Sequence, residues 1–301
     1  MNPDNKHIFT ILGGDRRHTV LANKLSAEGH TVRVFGLGTY AGECVGAECY
    51  SNLEKAIYGS NVVLLPLPVT RDNKHLNCSE EMSVNLSEIT ELCSAEKGLL
   101  VFGGMIPEEF LHLCEKNNVV VCDYYKSELL QMMNALPSAE GALMLAMEQS
   151  EITVKGMRTL VSGYGRIGKL LADMLHKLGA EVTVLARNEL SLCEASLNGY
   201  MTARLSRDAN ELRFLMENSD VIFNTVPSII FNKLSMQNLI NKPIYIEIAS
   251  LPGGIDISAA RDSGLRIVSA PSLPGRYSPI SAGKYIFETL KKLLDERGIK
   301  I

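Results

Sequence analysis

The stretch 160-LVSGYGRIGKLLADMLHKLGAEVTVLARN-188 decides the fold. A short apolar run at 159–162 leads into Gly163-Tyr164-Gly165-Arg166-Ile167-Gly168, an amphipathic segment follows, and a β-branched run closes the unit at 181–185. Strand, glycine turn, helix and second strand in this order raise a G-x-G-x-x-G pattern above a bare match. Gly163 permits the tight turn, Gly165 lets the backbone approach a pyrophosphate, and Gly168 lets the helix pack closely on the strand. Free N–H groups at the helix start favour the phosphate charge. Tyr164, Arg166 and Ile167 complete the turn and are assigned to the same dinucleotide contact. A glycine-rich turn without a ligand is the alternative.

Nineteen positions after Gly168, where an NAD site commonly offers an acid to the ribose 2′-hydroxyl, the chain has Arg187. A carboxylate there would repel a 2′-phosphate, whereas a guanidinium pairs with it through two charge-assisted hydrogen bonds. NADP is therefore the expected cofactor, with a solvated surface arginine as the alternative reading. The loops 224-NTVP-227 and 249-ASLPGG-254 fall at the carboxyl ends of later strands, where ligands gather in open α/β sheets. Asn224, Thr225, Pro227, Ser250 and Gly253 are the candidates for the nicotinamide side, and Val226 is assigned to the cofactor with them.

Outward from this unit the same alternation runs along the whole chain, so the fold class is α/β with two doubly wound parallel-sheet domains. Strands are expected at 7–12, 31–35, 62–65, 99–102 and 119–122, and again at 159–162, 181–185, 221–223, 244–248 and 266–268. The expected domains are residues 1–133, completed by a closing helix at 280–301, and a cofactor domain at 134–279. Between them, 124-YYKSELLQMMNALPSAEGALMLAMEQS-150 reads as helix interrupted at Pro137, with Ser138 capping the second piece. That pattern predicts hinge helices beside an interdomain cleft.

A length of 301 residues suits two domains, and 46% hydrophobic with 21% charged residues is an ordinary globular composition. A net charge of -4 without a long basic run gives no sign of nucleic acid. The seven cysteines form no C-x-x-C pair and have no histidine at metal-ligand spacing, so they read as reduced, mostly buried thiols, and no metal is expected. No segment approaches a membrane span and the N-terminus lacks a leader pattern, which predicts a cytoplasmic protein.

The first half opens with 8-IFTILGGDRRHTVLANKL-25, whose glycines lack the dinucleotide spacing. Arg16 and Arg17 at a helix start oppose the helix dipole unless an anion answers them. Asp15 is one answer. A substrate carboxylate held by Arg16 and Arg17 is the other.

Taken together, GGDRR at 13–17, LPLP at 65–68, FGG at 102–104, NALPSAEG at 134–141, GYGRIG at 163–168, VLAR at 184–187, IASLPGGID at 248–256 and the late APSLPG and SAGK resemble the dipicolinate synthase A family over nearly the whole chain. The resemblance implies an NADP-dependent dehydrogenase of sporulating bacteria, working in the mother-cell cytoplasm on a branch from lysine biosynthesis. Its substrate would be dihydrodipicolinate or 4-hydroxytetrahydrodipicolinate, and its product dipicolinate. The flavoprotein-like dipicolinate synthase B is the implied partner, and a homo-oligomer is compatible with it. Within that frame Arg16 and Arg17 clamp carboxylates, Asn134 and Ser138 add hydrogen bonds, and Glu140 or Asp15 accepts the proton, with His18 or water as further candidates. Two other readings stand beside it: another NADP-dependent reductase of a small imino or hydroxy acid, and a cofactor-binding component without chemistry of its own.

Overall fold

Five-residue runs such as 8-IFTIL-12 and 158-RTLVS-162 bury almost every side chain, which is what a strand covered on both faces by helices requires. The computed structural model describes residues 6–78 and 82–301. The chain begins β1 (Ile8–Leu12), α1 (Arg16–Ala27), β2 (Thr31–Phe35), a 3-10 turn (Gly38–Glu43), β3 (Ala47–Cys49), α2 (Leu53–Ile57) and β4 (Val62–Leu64). It continues through α3 (Leu86–Ala95), β5 (Leu100–Gly103), α4 (Glu108–Lys116), β6 (Val120–Asp123) and α5 (Glu128–Gln149). Then follow β7 (Arg158–Ser162), α6 (Arg166–Lys177), β8 (Glu181–Ala186), α7 (Glu189–Leu197), β9 (Met201–Arg204), α8 (Ala209–Glu217) and β10 (Val221–Asn224). The last elements are α9 (Lys233–Met236), β11 (Ile244–Glu247), α10 (Ile257–Asp262), β12 (Ile267–Ser269), α11 (Leu273–Tyr277) and α12 (Pro279–Asp295).

The chain divides into two compact units, one running to Asn134 and resuming at Ser278–Ile301, the other Ala135–Tyr277. The first holds a six-stranded sheet in the order β3-β2-β1-β4-β5-β6, and the second a sheet in the order β12-β11-β10-β7-β8-β9. Every pairing is parallel. Counted from its own first strand, each sheet has the doubly wound order 3-2-1-4-5-6, with its switch point beside that strand. The two-sheet α/β class read from the sequence is the fold the chain adopts. The two strands missing from the sequence reading, β3 and β9, are edge strands of three and four residues.

In the first unit α12 packs against α1, and Ile286, Phe287, Leu290 and Leu294 join Phe9, Ile11, Leu21 and Leu25 in one core. Gly283 makes that approach possible, since a Cβ there would lie 2.7 Å from the Arg17 carbonyl oxygen. In the second unit Leu171 and Leu175 of α6 pack with Val161, Val184 and Phe223.

Three expectations are corrected. Pro137 does not interrupt the connector, because α5 runs unbroken from Glu128 to Gln149 with Pro137 inside it, and Ser138 lies within the helix rather than at a cap. Proline loses its own N–H bond and crowds the carbonyl one turn back, but buried side chains on both sides, Leu130 in one core and Ala139, Ala142 and Leu145 in the other, hold the helical path. The cysteines are free, but only Cys93 and Cys114 are buried; Cys49 and Cys193 are exposed. Among the described residues no helix is long and apolar enough to cross a membrane.

Candidate functional site

At the switch point of the second unit the three glycines differ in what surrounds them. Gly163 has φ +94°, and a Cβ there would lie 2.3 Å from Thr225 Oγ1. Gly168 is closed in, with an added Cβ 2.2 Å from the Gly163 carbonyl oxygen. Gly165 faces open space, with nothing within 4 Å of an added Cβ. It is also the N-cap of α6 and supplies no side-chain cap, so the helix start presents backbone donors and positive dipole charge to that space. A cradle closed beneath and open above fits the pyrophosphate of a dinucleotide.

The side chains of the turn divide. Arg166 is exposed and Ile167 half-buried. Tyr164 is buried, edge-on to Tyr200 with centroids 6.4 Å apart, with Lys169 over its ring and Asn198 donating to its hydroxyl. Burial pushes its hydroxyl pKa upward. Tyr164 therefore offers backbone rather than side chain to the turn.

Arg187 follows β8 and is exposed, with no ion pair among the described residues. Asn188 beside it caps α7 by accepting from the Leu190 N–H. Arg204, the last residue of β9, lies in register with Ala186 and pairs with Glu189 at 3.1 Å.

The loops after β10 and β11 are tied together by a residue absent from the sequence reading, Glu247. One carboxylate oxygen accepts from Asn224 Nδ2 at 2.7 Å and the Ala249 N–H at 3.1 Å, and the other from the Gly254 N–H at 2.8 Å. Asn224 is wholly buried and also donates to the Val226 carbonyl, so its amide organises the loop and has no donor left for a ligand. That corrects its place among the cofactor contacts. Thr225 donates to the Ser162 carbonyl; Val226 is half-buried, and Pro227 and Ser250 are exposed. Gly253 and Gly254 are close-packed on this network, with added Cβ atoms 2.8 Å from Glu247 and 2.4 Å from Asn224. The glycines of ASLPGG thus serve the carboxylate beneath them.

The first unit answers its two arginines from within. Asp15 caps α1, accepting from the Arg17 N–H, while His18 Nδ1 accepts from the Asp15 N–H. The Arg17 guanidinium, 3% exposed, grips both Asp15 oxygens at 2.8 Å and donates to the Leu67 carbonyl across the switch point. Burial by itself would raise the Asp15 carboxyl, but the His18 and Arg17 side chains beside it outweigh burial and hold the group well below the usual carboxylate range. A carboxylate so engaged is a poor proton acceptor and an effective clamp, which counts against Asp15 as the base and against Arg17 as a free substrate arm. Gly14, at φ +103°, lets the His18 ring lie against it. Arg16 is half-exposed and pairs with Glu43 at 2.8 Å. Asn134 and Ser138 are each 7% exposed on α5, and Glu140 on the same helix is exposed. Among the described residues no group of acids, histidines and cysteines is placed to hold a metal ion.

Residues 8–125 match the model of the N-terminal domain of the A-type subunit of dipicolinate synthase. The dipicolinate synthase A of Bacillus subtilis (strain 168) is 25% identical over 288 residues, 96% of each chain. The crystal structure of dipicolinate synthase A from Bacillus halodurans is 26% identical with TM-score 0.83, covering 96% of this chain and 97% of that one. A transhydrogenase from Sinorhizobium meliloti, 15% identical, shares the fold with TM-score 0.67 over 96% of this chain and 94% of its own. With the glycine cradle, the GGDRR clamp and the ASLPGG network all in place, the chain is similar to dipicolinate synthase A over nearly its whole length.

Proposed function

We propose that this chain is the dehydrogenase component of a dipicolinate synthase, taking dihydrodipicolinate, or its 4-hydroxytetrahydro precursor after loss of water, to dipicolinate with NADP+. The observation that carries the cofactor half is the cradle open only above Gly165, with the exposed guanidinium of Arg187 at the end of the next strand. The family carries the substrate half. When bound, NADP+ supplies a nicotinamide ring that takes up two electrons and a hydrogen from the substrate. The chain's own residues have the remaining tasks. Backbone N–H groups at the start of α6 hold the pyrophosphate, and Arg187 takes the 2′-phosphate. Glu247 fixes the loops that would meet the nicotinamide.

Arg16 is the arginine whose guanidinium reaches solvent, and its exposed pair with Glu43 can be exchanged for a substrate carboxylate at little cost. Arg17 keeps α1 in position for it. The substrate gives up one further proton as the ring becomes aromatic, and the exposed carboxylate of Glu140, or water, receives it. Asn134 and Ser138 supply further substrate contacts. The implied partner is the flavoprotein-like dipicolinate synthase B, and the setting is the mother-cell cytoplasm of a sporulating bacterium. A second reading, a cofactor-binding component without turnover, draws support from the intramolecular partners of both Arg16 and Arg17.

The test uses purified chain, freshly generated cyclic substrate and NADP+ or NAD+, with and without the flavoprotein-like partner. Equal formation of NADPH and dipicolinate is expected. NADPH binding with neither product, in the presence of the partner and intact substrate, would sink the dehydrogenase reading in favour of the second.

A further inference from the structure

We infer that Arg204 is the second arm of a two-guanidinium site for the cofactor's 2′-phosphate, and that Glu189 occupies this arm when the phosphate is absent. The inference rests on the NADP reading of the site and names residues that reading did not contain.

Three observations support it. First, the strand pairing brings the two arginines to one place: Arg204 ends β9 opposite Ala186, the Leu205 N–H donates to the Ala186 carbonyl at 2.9 Å, and Arg187 is the residue that follows β8. Adjacent parallel strands lie about 4.8 Å apart, so the two arginines leave neighbouring strand ends within one residue of register. Second, Arg204 already bends toward the stretch that follows Arg187, since its guanidinium meets Glu189 at 3.1 Å. An anion is therefore accepted there, two residues beyond Arg187. Third, that pair is exposed on both sides, 68% and 78%, and exposed pairs of this kind contribute little. A phosphate carrying more charge than a carboxylate, with three acceptor oxygens, is the stronger partner for a guanidinium fork. Among the described residues Arg187 has no acid to leave. Arg204 has one, and its exchange gives the site a built-in competitor.

The alternative is that Arg204 serves only to neutralise Glu189, which would otherwise repel the phosphate. A double-mutant comparison separates the two. The probes are adenosine 2′,5′-bisphosphate and 5′-AMP, titrated calorimetrically into the protein without substrate, so that the readout is binding. Wild type should prefer the bisphosphate. Arg204→Ala should lose about tenfold in affinity for the bisphosphate and nothing for 5′-AMP, and should do so in both the Glu189 and the E189Q backgrounds. E189Q alone should bind the bisphosphate a few-fold more tightly.

No loss in Arg204→Ala would overturn the proposal. So would a loss that disappears in the double variant, because Arg204 would then act only through Glu189. A wild type that does not distinguish the two probes would remove the NADP reading itself, an outcome recognisable without any variant. Both side chains are exposed, so the variants should fold, and unchanged 5′-AMP binding verifies it.

Discussion

Replacing Gly165 by alanine should leave the fold intact and remove the cofactor, whereas replacing Gly168 should damage the fold first. At Gly165 the backbone is at φ −88°, ψ −159°, open to any residue, and an added methyl meets nothing within 4 Å. The stability change should stay within about 0.5 kcal/mol, a melting shift of roughly 2 °C or less. The same methyl stands where the pyrophosphate oxygens approach the helix start, so NADPH affinity should fall about tenfold or more. At Gly168 the methyl lies 2.2 Å from the Gly163 carbonyl oxygen, against 3.4 Å for an ordinary contact, so the start of α6 must retreat by the difference. Overpacking of this kind costs about 1–3 kcal/mol, a fall of roughly 4–8 °C near the middle of that range. Thermal melts by circular dichroism and NADPH fluorescence titrations on both variants read the two effects apart. Wild-type NADPH affinity in Gly165→Ala would refute the argument, because the space above Gly165 would not be where the phosphates lie.

Arg17→Met should strand the Asp15 carboxylate and lower stability by about 3 kcal/mol, read as a lower urea midpoint; an unchanged midpoint would show the buried pair to be inert. Because the fold depresses the Asp15 pKa, its contribution is complete above the ordinary value of 3.8 and is lost as pH falls below it. The wild-type melting temperature should therefore drop more between about pH 5 and about pH 3 than that of Asp15→Asn, and parallel curves would count against it. Glu247→Gln turns a four-way acceptor into a group with an N–H facing donors, at about 1–3 kcal/mol, and should speed hydrogen exchange at 249–254. Gly283→Ala should lower the melting temperature by forcing α12 off the Arg17 carbonyl, with NADPH binding unaffected.

Interior strands were legible because burial on both faces demands unbroken apolar runs, as in β1 and β10. The edge strands β3, AEC, and β9, MTAR, escaped because one open side relaxes that demand, leaving three or four residues that resemble a loop. The cost of missing β9 was Arg204. Among the site residues, the glycine turn was readable since each position imposes a residue type through backbone space. The same pattern fixes where the backbone goes and says nothing of where the Tyr164 side chain turns. Glu247 left no signal: its partners are two backbone N–H groups of the loop that follows it, the Asn224 amide at the end of β10 and the Tyr245 hydroxyl, and any residue but proline in that loop would offer an N–H. Both readings of GGDRR stood open in the sequence, and the structure puts Arg17 on Asp15. Pro137 reads as a helix stop locally, and only packing at both ends of α5 overrides it.

The Asp15–Arg17 clamp has a consequence for stoichiometry. Both sheets are wound alike, and in each the first helix begins beside the switch point, where a nucleotide's phosphates would settle. In the first unit the chain supplies its own negative charge at that spot and buries the arginine that holds it. An external phosphate would have to evict a covalently tethered rival whose effective concentration no solute can match. Although the molecule is built from two nucleotide-type sheets, it should titrate with a single equivalent of dinucleotide per chain.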